Sequence, residues 1–89
     1  MKYKILIFII TYKASFRVMD VIKKIPLKYL KQHNYHIYVS DDCSNDDTVT
    51  YIEKIKSKFK KKLTININKK NVGYGANIKN CINFAFKNN

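Results

Sequence analysis

Apolar and polar residues fall along the 89-residue chain in blocks that read as three repeats of strand then helix. Tyr3 to Ile10 is apolar apart from Lys4. Continuous apolarity over that length is expected of a parallel strand covered on both faces. A helix follows, roughly Ser15 to Ile25, with Val18, Met19, Ile22 and Ile25 on one face. Pro26 interrupts it, and Leu27 to Leu30 fits one more short helical turn. The second strand spans Tyr35 to Ser40, with Ile37 and Val39 pointing one way. It runs into Asp41-Asp42-Cys43-Ser44-Asn45-Asp46-Asp47, a segment of turn and cap residues. Ser44, Asn45 or Asp46 is suited to cap a helix from about Asp47 to Phe59, whose apolar stripe is Val49, Ile52, Ile55 and Phe59. The third strand, Leu63 to Ile67, alternates strictly, as an edge or half-covered strand does. Asn71-Val72-Gly73-Tyr74-Gly75 makes a turn. A last helix, about Ala76 to Phe86, is expected to bury Ile78, Cys81, Ile82, Ala85 and Phe86.

Strands and helices alternating at this spacing imply right-handed crossovers and a parallel sheet. The expectation is an α/β fold: a three-layer, Rossmann-like (βα)3 unit with strand order 3-2-1. The first strand, the most hydrophobic, then has one open edge, which native folds avoid. It is expected to lie inside a larger sheet, paired to a strand beyond Asn89. Failing that, the chain is expected to aggregate, to self-associate as a dimer through Tyr3 to Ile10, or to fold only in part.

Composition changes little of this picture. Hydrophobic residues make up 46% of the chain, enough for a packed core and against disorder. A formal charge of +12 suits a phosphate-rich partner: nucleic acid, an anionic membrane touched peripherally, or a nucleotide. The same chain is heavy in Lys, Asn and Ile and has a single Arg, Arg17, as an AT-rich coding sequence would give. Nucleic-acid readers favour Arg for bidentate contacts, so no specific nucleic acid is expected. Acids at the start of the third helical block, with Lys56, Lys58, Lys60 and Lys61 at its end, match the helix dipole. Cys43 and Cys81 form no ligand pattern with each other or with His33 and His36, and a reducing cytoplasm is the default. No apolar stretch is long enough to span a bilayer, and the first run lacks a cleavage site for a signal peptide.

In an open parallel sheet, ligands bind outside the C-terminal ends of the strands. Thr11-Tyr12-Lys13, Asp41-Asp42-Cys43-Ser44 and Asn71-Val72-Gly73-Tyr74-Gly75 collect there. They offer an aromatic face, carboxylate acceptors, and a Gly turn with open backbone N–H groups, all suited to a nucleotide. Each also has a plainer reading, since acids after a strand often cap helices and Gly often only supplies a positive φ.

The segments IITYK, IYVSDDCSNDDT and NKKNVGYGANIKNCINFAF, in that order, resemble the N-terminal half of family 2 glycosyltransferases of the GT-A fold. The last of them is similar to a subgroup with N-x-G-Y-G-x-N-x-K. The resemblance covers nearly the whole chain. It implies transfer of a sugar from a nucleotide diphosphate donor, UDP- or GDP-type, to an acceptor hydroxyl, in the setting of cell-envelope polysaccharide assembly. It implies that Thr11 and Tyr12 lie at the base or ribose and that Asp42 accepts a base ring N–H. Asp41 orients the loop and Ser44 caps the helix. Gly73, Gly75 and Asn77 shape the pocket wall, and Lys79 either approaches the diphosphate or is a solvated helix residue. Where the family usually has Pro before Thr, this chain has Ile10; where it has Asn-Glu after Tyr, this chain has Lys13-Ala14. A divalent cation, Mg or Mn, is implied for the family. Its D-x-D ligands normally follow the next strand and are absent from this chain, as are a catalytic base and acceptor site, so no residue is assigned a catalytic or metal role. The expectation is therefore a donor-nucleotide half-site without activity of its own.

The alternatives are a dinucleotide-binding or receiver-like module and a basic nucleic-acid binder. A dinucleotide fold needs G-x-G-x-x-G after the first strand, where this chain has no Gly. A receiver carries its acidic pair after the first strand and not the second.

Overall fold

Parallel pairing of three strands sets the architecture. The computed structural model of the protein describes residues 4–88. The elements run β1 (Ile5–Thr11), α1 (Arg17–Lys23), α2 (Leu27–Leu30), β2 (Tyr35–Asp41), α3 (Thr48–Phe59), a 3-10 turn (Lys60–Lys62), β3 (Leu63–Ile67) and α4 (Tyr74–Lys87). The sheet order is β1-β2-β3, with Ile7 opposite Ile37 and Val39 opposite Ile65. This is the expected α/β arrangement, read from the other edge.

Side-chain alternation along the strands divides the molecule into layers. Ile9, Ile37, Val39 and Leu63 face α1, α2 and α3, and pack with Val18, Ile22, Leu30, Ile52 and Ile55. On the other face lies α4, joined to β2 mainly by aromatic and polar contacts. The Phe84 ring stacks on Tyr38 at 4.3 Å and on His36 at 5.6 Å between centroids. His36 Nε2 is 2.7 Å from Thr64 Oγ1 on β3. All seven residues of β2 are buried, as a strand paired on both sides and covered on both faces should be.

The structure corrects several boundaries. Tyr3 lies outside the described residues, and β1 continues through Thr11. Asp41 belongs to β2 and not to the loop. Ser15 has φ 53°, a left-handed conformation, so α1 begins only at Arg17. Helix α4 starts at Tyr74, which puts Gly75 inside its first turn.

Two burial expectations also change. β1 is only half-buried, and Phe8 is 39% exposed. Among the described residues it pairs with β2 alone, so its apolar run has more surface than this chain covers. On α4, Ile82 and Phe86 are exposed, at 44% and 80%, whereas Asn77 and Cys81 are buried. The helix turns Asn77, Cys81 and Phe84 toward β2 because Ser40 and Tyr38 offer it hydrogen-bonding and ring partners. Counting apolar residues selects the wrong stripe there.

Candidate functional site

The loops after β1, β2 and β3 meet at one edge of the sheet. Register places Thr11 beside Asp41, and the Thr11 hydroxyl donates to Asp41 Oδ1 at 2.6 Å. The same carboxylate accepts the Ser44 amide at 2.9 Å and the Ser44 hydroxyl at 2.5 Å. Asp41 is fully buried, and these three donors satisfy it.

Ser44 faces the β1 loop. Its Oγ accepts the Lys13 amide at 2.9 Å, and Thr48 Oγ1 accepts the Ser15 amide at 2.8 Å. Ser44 thus joins two loops and does not cap α3, correcting the role implied by resemblance. The first helical amide, that of Thr48, goes instead to Asp46 Oδ1 at 2.9 Å. Lys13, Ser15, Cys43 and Asn45 all have φ between 51° and 63°. Such conformations are costly for non-Gly residues, and at Lys13 and Ser15 the cross-loop bonds hold them in place.

Asp42 performs the equivalent task for the third loop. Its amide donates to Thr11 O at 2.9 Å. Oδ1 accepts the Val72 amide at 2.8 Å and Asn68 Nδ2 at 3.0 Å, and Oδ2 accepts the Gly73 amide at 2.9 Å. The Val72 amide foremost, with Asn68 and the Gly73 amide, holds the Asp42 carboxyl below the usual carboxylate value against the opposing effect of burial. Gly73 has φ 88° and ψ 163°, a region open essentially to Gly alone. From that residue the chain turns into α4.

Asn77, one turn into α4, locks the helix to the sheet. Its Nδ2 donates to Ser40 O at 2.9 Å. Its Oδ1 accepts from the Ser40 hydroxyl at 2.5 Å and from Asn68 and Asn80 amides at 3.2 Å.

These loops enclose a cleft of about 270 Å³ lined by Ile10, Tyr12, Asp42, Asn71, Gly73, Tyr74 and Asn77. Tyr12 and Tyr74 are 48% and 72% exposed, and Lys13 Nζ stands 5.2 Å from the centre of the Tyr12 ring. Of the residues singled out from sequence, Tyr12, Asp42, Gly73 and Asn77 line this cleft. Thr11 and Asp41 are paired beneath it. Gly75 and Lys79 are exposed on α4 outside the lining, and a Cβ at Gly75 would meet open space. Sequence reasoning passed over Tyr74, Asn71 and Ile10 as individual site residues. An exposed aromatic between two glycines was the available signal for Tyr74.

A divalent cation does not fit these carboxylates. Asp41 is enclosed by its three donors, and Asp42, held by the Val72, Asn68 and Gly73 amides, offers a single open acceptor position where a divalent cation takes several oxygen ligands. Among the described residues there is no cluster of three or more His, Cys, Asp or Glu able to hold a metal ion, and no helix is long and apolar enough to cross a membrane.

Comparison with known proteins agrees with this fold. The family model described as Glycosyl transferase family 2 matches residues 6–88, nearly the whole chain. No curated protein matches it.

Proposed function

The chain belongs to glycosyl transferase family 2, and we propose that the cleft between the β1 loop and the start of α4 binds the nucleoside of a nucleotide diphosphate sugar. The observation that carries this reading is the placement of Asp42. Its carboxylate pins the Val72–Gly73 turn, and it lines the cleft between two exposed tyrosines. Oδ2 accepts one bond there and has capacity for another. A ring N–H beside a carbonyl, as in uracil or guanine, matches that acceptor, so the donor is of UDP or GDP type. Tyr12 and Tyr74 supply flat faces for the base.

At about 270 Å³ the cleft falls just below the usual range for drug-sized ligands. It suits a base and ribose, with the diphosphate and sugar outside. The diphosphate then lies toward the first turn of α4, where the helix dipole favours negative charge. Lys79, exposed farther along α4, is assigned no contact. In the reaction of the family, the acceptor oxygen bonds the anomeric carbon as the bond to the diphosphate breaks, and the hydroxyl proton passes to a base. None of the described residues is assigned the role of that base. The chain supplies the donor-binding half-site, in the N-terminal subgroup pattern with N-x-G-Y-G-x-N-x-K, and has no transfer activity of its own.

A thermal-shift panel of UDP, GDP, ADP and a DNA duplex at two salt concentrations tests the reading. UDP or GDP is expected to raise the melting temperature at both salts, with ADP weaker and Tyr12→Ala abolishing the shift. Equal stabilisation by all nucleotides, or a salt-sensitive effect of DNA alone, counts against it.

A further inference from the structure

Net charge is uneven along the strand axis, because the acids gather at one end, where Lys13, Arg17, Lys69 and Lys70 offset them. All three strands run one way, so strand beginnings and helix ends share one end of the fold. That end carries Lys23, Lys24, Lys28, Lys31, Lys58 and the Lys60–Lys62 turn, all exposed. Four of the six acids, Asp41, Asp42, Asp46 and Asp47, lie at the opposite end, and Asp20 and Glu53 sit in mid-helix. The lysine-rich end is therefore a face of nearly one sign, although the overall charge reads as background when spread along the sequence.

A cavity of about 320 Å³ opens in this same end, larger than the cleft at the other. Ile22, Ile25, Leu27, Tyr35 and Phe59 line it together with Lys23, Lys31 and Lys58, and no acid does. Lys62 Nζ stands 5.1 Å from the centre of the Tyr35 ring. Lys56 Nζ donates to the carbonyls of Lys60 and Leu63, tying down the turn that presents the Lys60–Lys62 run. Tyr29, on the same short helix α2 as the lining residue Leu27, is also exposed.

We propose that this end is a docking surface for a bilayer containing anionic lipid. The lysine ammonium groups meet headgroup phosphates, and the cavity takes up apolar surface of a lipid below them. Lysines can extend their charged ends to phosphates while their stems cover apolar surface. A duplex matches the charge equally well but has no use for an apolar cavity, and the one Arg, Arg17, starts α1 at the other end. The surface is separate from the nucleotide cleft, and docking leaves that cleft facing away from the bilayer. The proposal stands whether or not the cleft binds a nucleotide.

Co-sedimentation of the full chain with phosphatidylcholine vesicles, with and without phosphatidylglycerol, tests it, with a DNA duplex as competitor. Two charge-reversed variants separate position from net charge: Lys23→Glu/Lys31→Glu/Lys58→Glu at the basic end, and Lys54→Glu/Lys69→Glu/Lys70→Glu elsewhere. The expected result is binding only to anionic vesicles, weakened about 30-fold or more by the first set and far less by the second. The chain has no Trp, so Leu27→Trp places a single reporter in the cavity. Its emission is expected to shift to the blue with anionic vesicles only. Absent vesicle binding, equal losses from both sets, DNA outcompeting the vesicles, or an unshifted reporter each overturns the proposal.

Discussion

At Asp42 one carboxylate accepts from two backbone amides and one side-chain amide across 26 to 31 positions of sequence. Asp42→Asn keeps the shape but turns one acceptor into a donor that faces an N–H group. Nucleotide affinity is expected to fall by about tenfold or more, measured by calorimetry. Because the folded Asp42 carboxyl titrates below its ordinary 3.8, the unfolded chain takes up the proton first. Its stabilising contribution is complete above that value and is lost as pH falls through the lower folded value. Acid unfolding followed by circular dichroism is therefore expected to be less steep in Asp42→Asn than in the parent. Asn77 is the second residue of consequence. Asn77→Ala takes the acceptor from the buried Ser40 hydroxyl and a donor from the Ser40 carbonyl, and denaturant unfolding is expected to show a loss of about 2 kcal/mol. Sequence position after β2 pointed to Asp42 as an acceptor, but its partners in the third loop were out of reach of any local pattern. Asn77 was named as pocket wall. Its larger part, as a polar core residue, was hidden because a helical stripe is recognised by its apolar members.

On the scale of elements, the two glycines separate cleanly. Gly73 occupies a backbone region that a side chain strains, and Gly73→Ala is expected to cost about 1–3 kcal/mol. Gly75 lies in the first turn of α4 with open space at its Cβ, so Gly75→Ala is expected to stabilise by about 0.5–1 kcal/mol. Paired urea melts check both signs. From sequence the two looked alike, since both fell within one Gly-containing turn; only the start of α4 at Tyr74 distinguishes them. His36 joins β2, β3 and α4. Its pKa is lowered from 6.5 by burial first and then by Lys56 and Lys62. The unfolded chain protonates before the folded one, so this contribution is full above 6.5 and lost as pH drops below it. The elements themselves were legible, because period-2 and period-3.6 patterns are strong in β3, α1 and α3. The burial of β1 was not. Continuous apolarity reports how much surface a strand needs covered, and this chain covers only part of it.

Among the described residues, the outer edge of β1 with the exposed Phe8 is unpaired, Ile82 and Phe86 are exposed on α4, and the lysine-rich end is uncovered. A chain with an uncovered apolar edge strand is expected to self-associate. Light scattering should show species above the monomer that diminish in Phe8→Lys. The proposed nucleotide cleft lies at the opposite end from the lysines, where the three loops are cross-braced by Asp41, Ser44 and Asp42. Amide NMR mapping during titration with UDP or GDP tests the nucleotide cleft most directly. Shifts concentrated at Tyr12, Asp42 and residues 71–75 are the predicted result. Shifts confined to the lysine-rich end around Lys58 to Lys62, or none at saturating nucleotide, would contradict it.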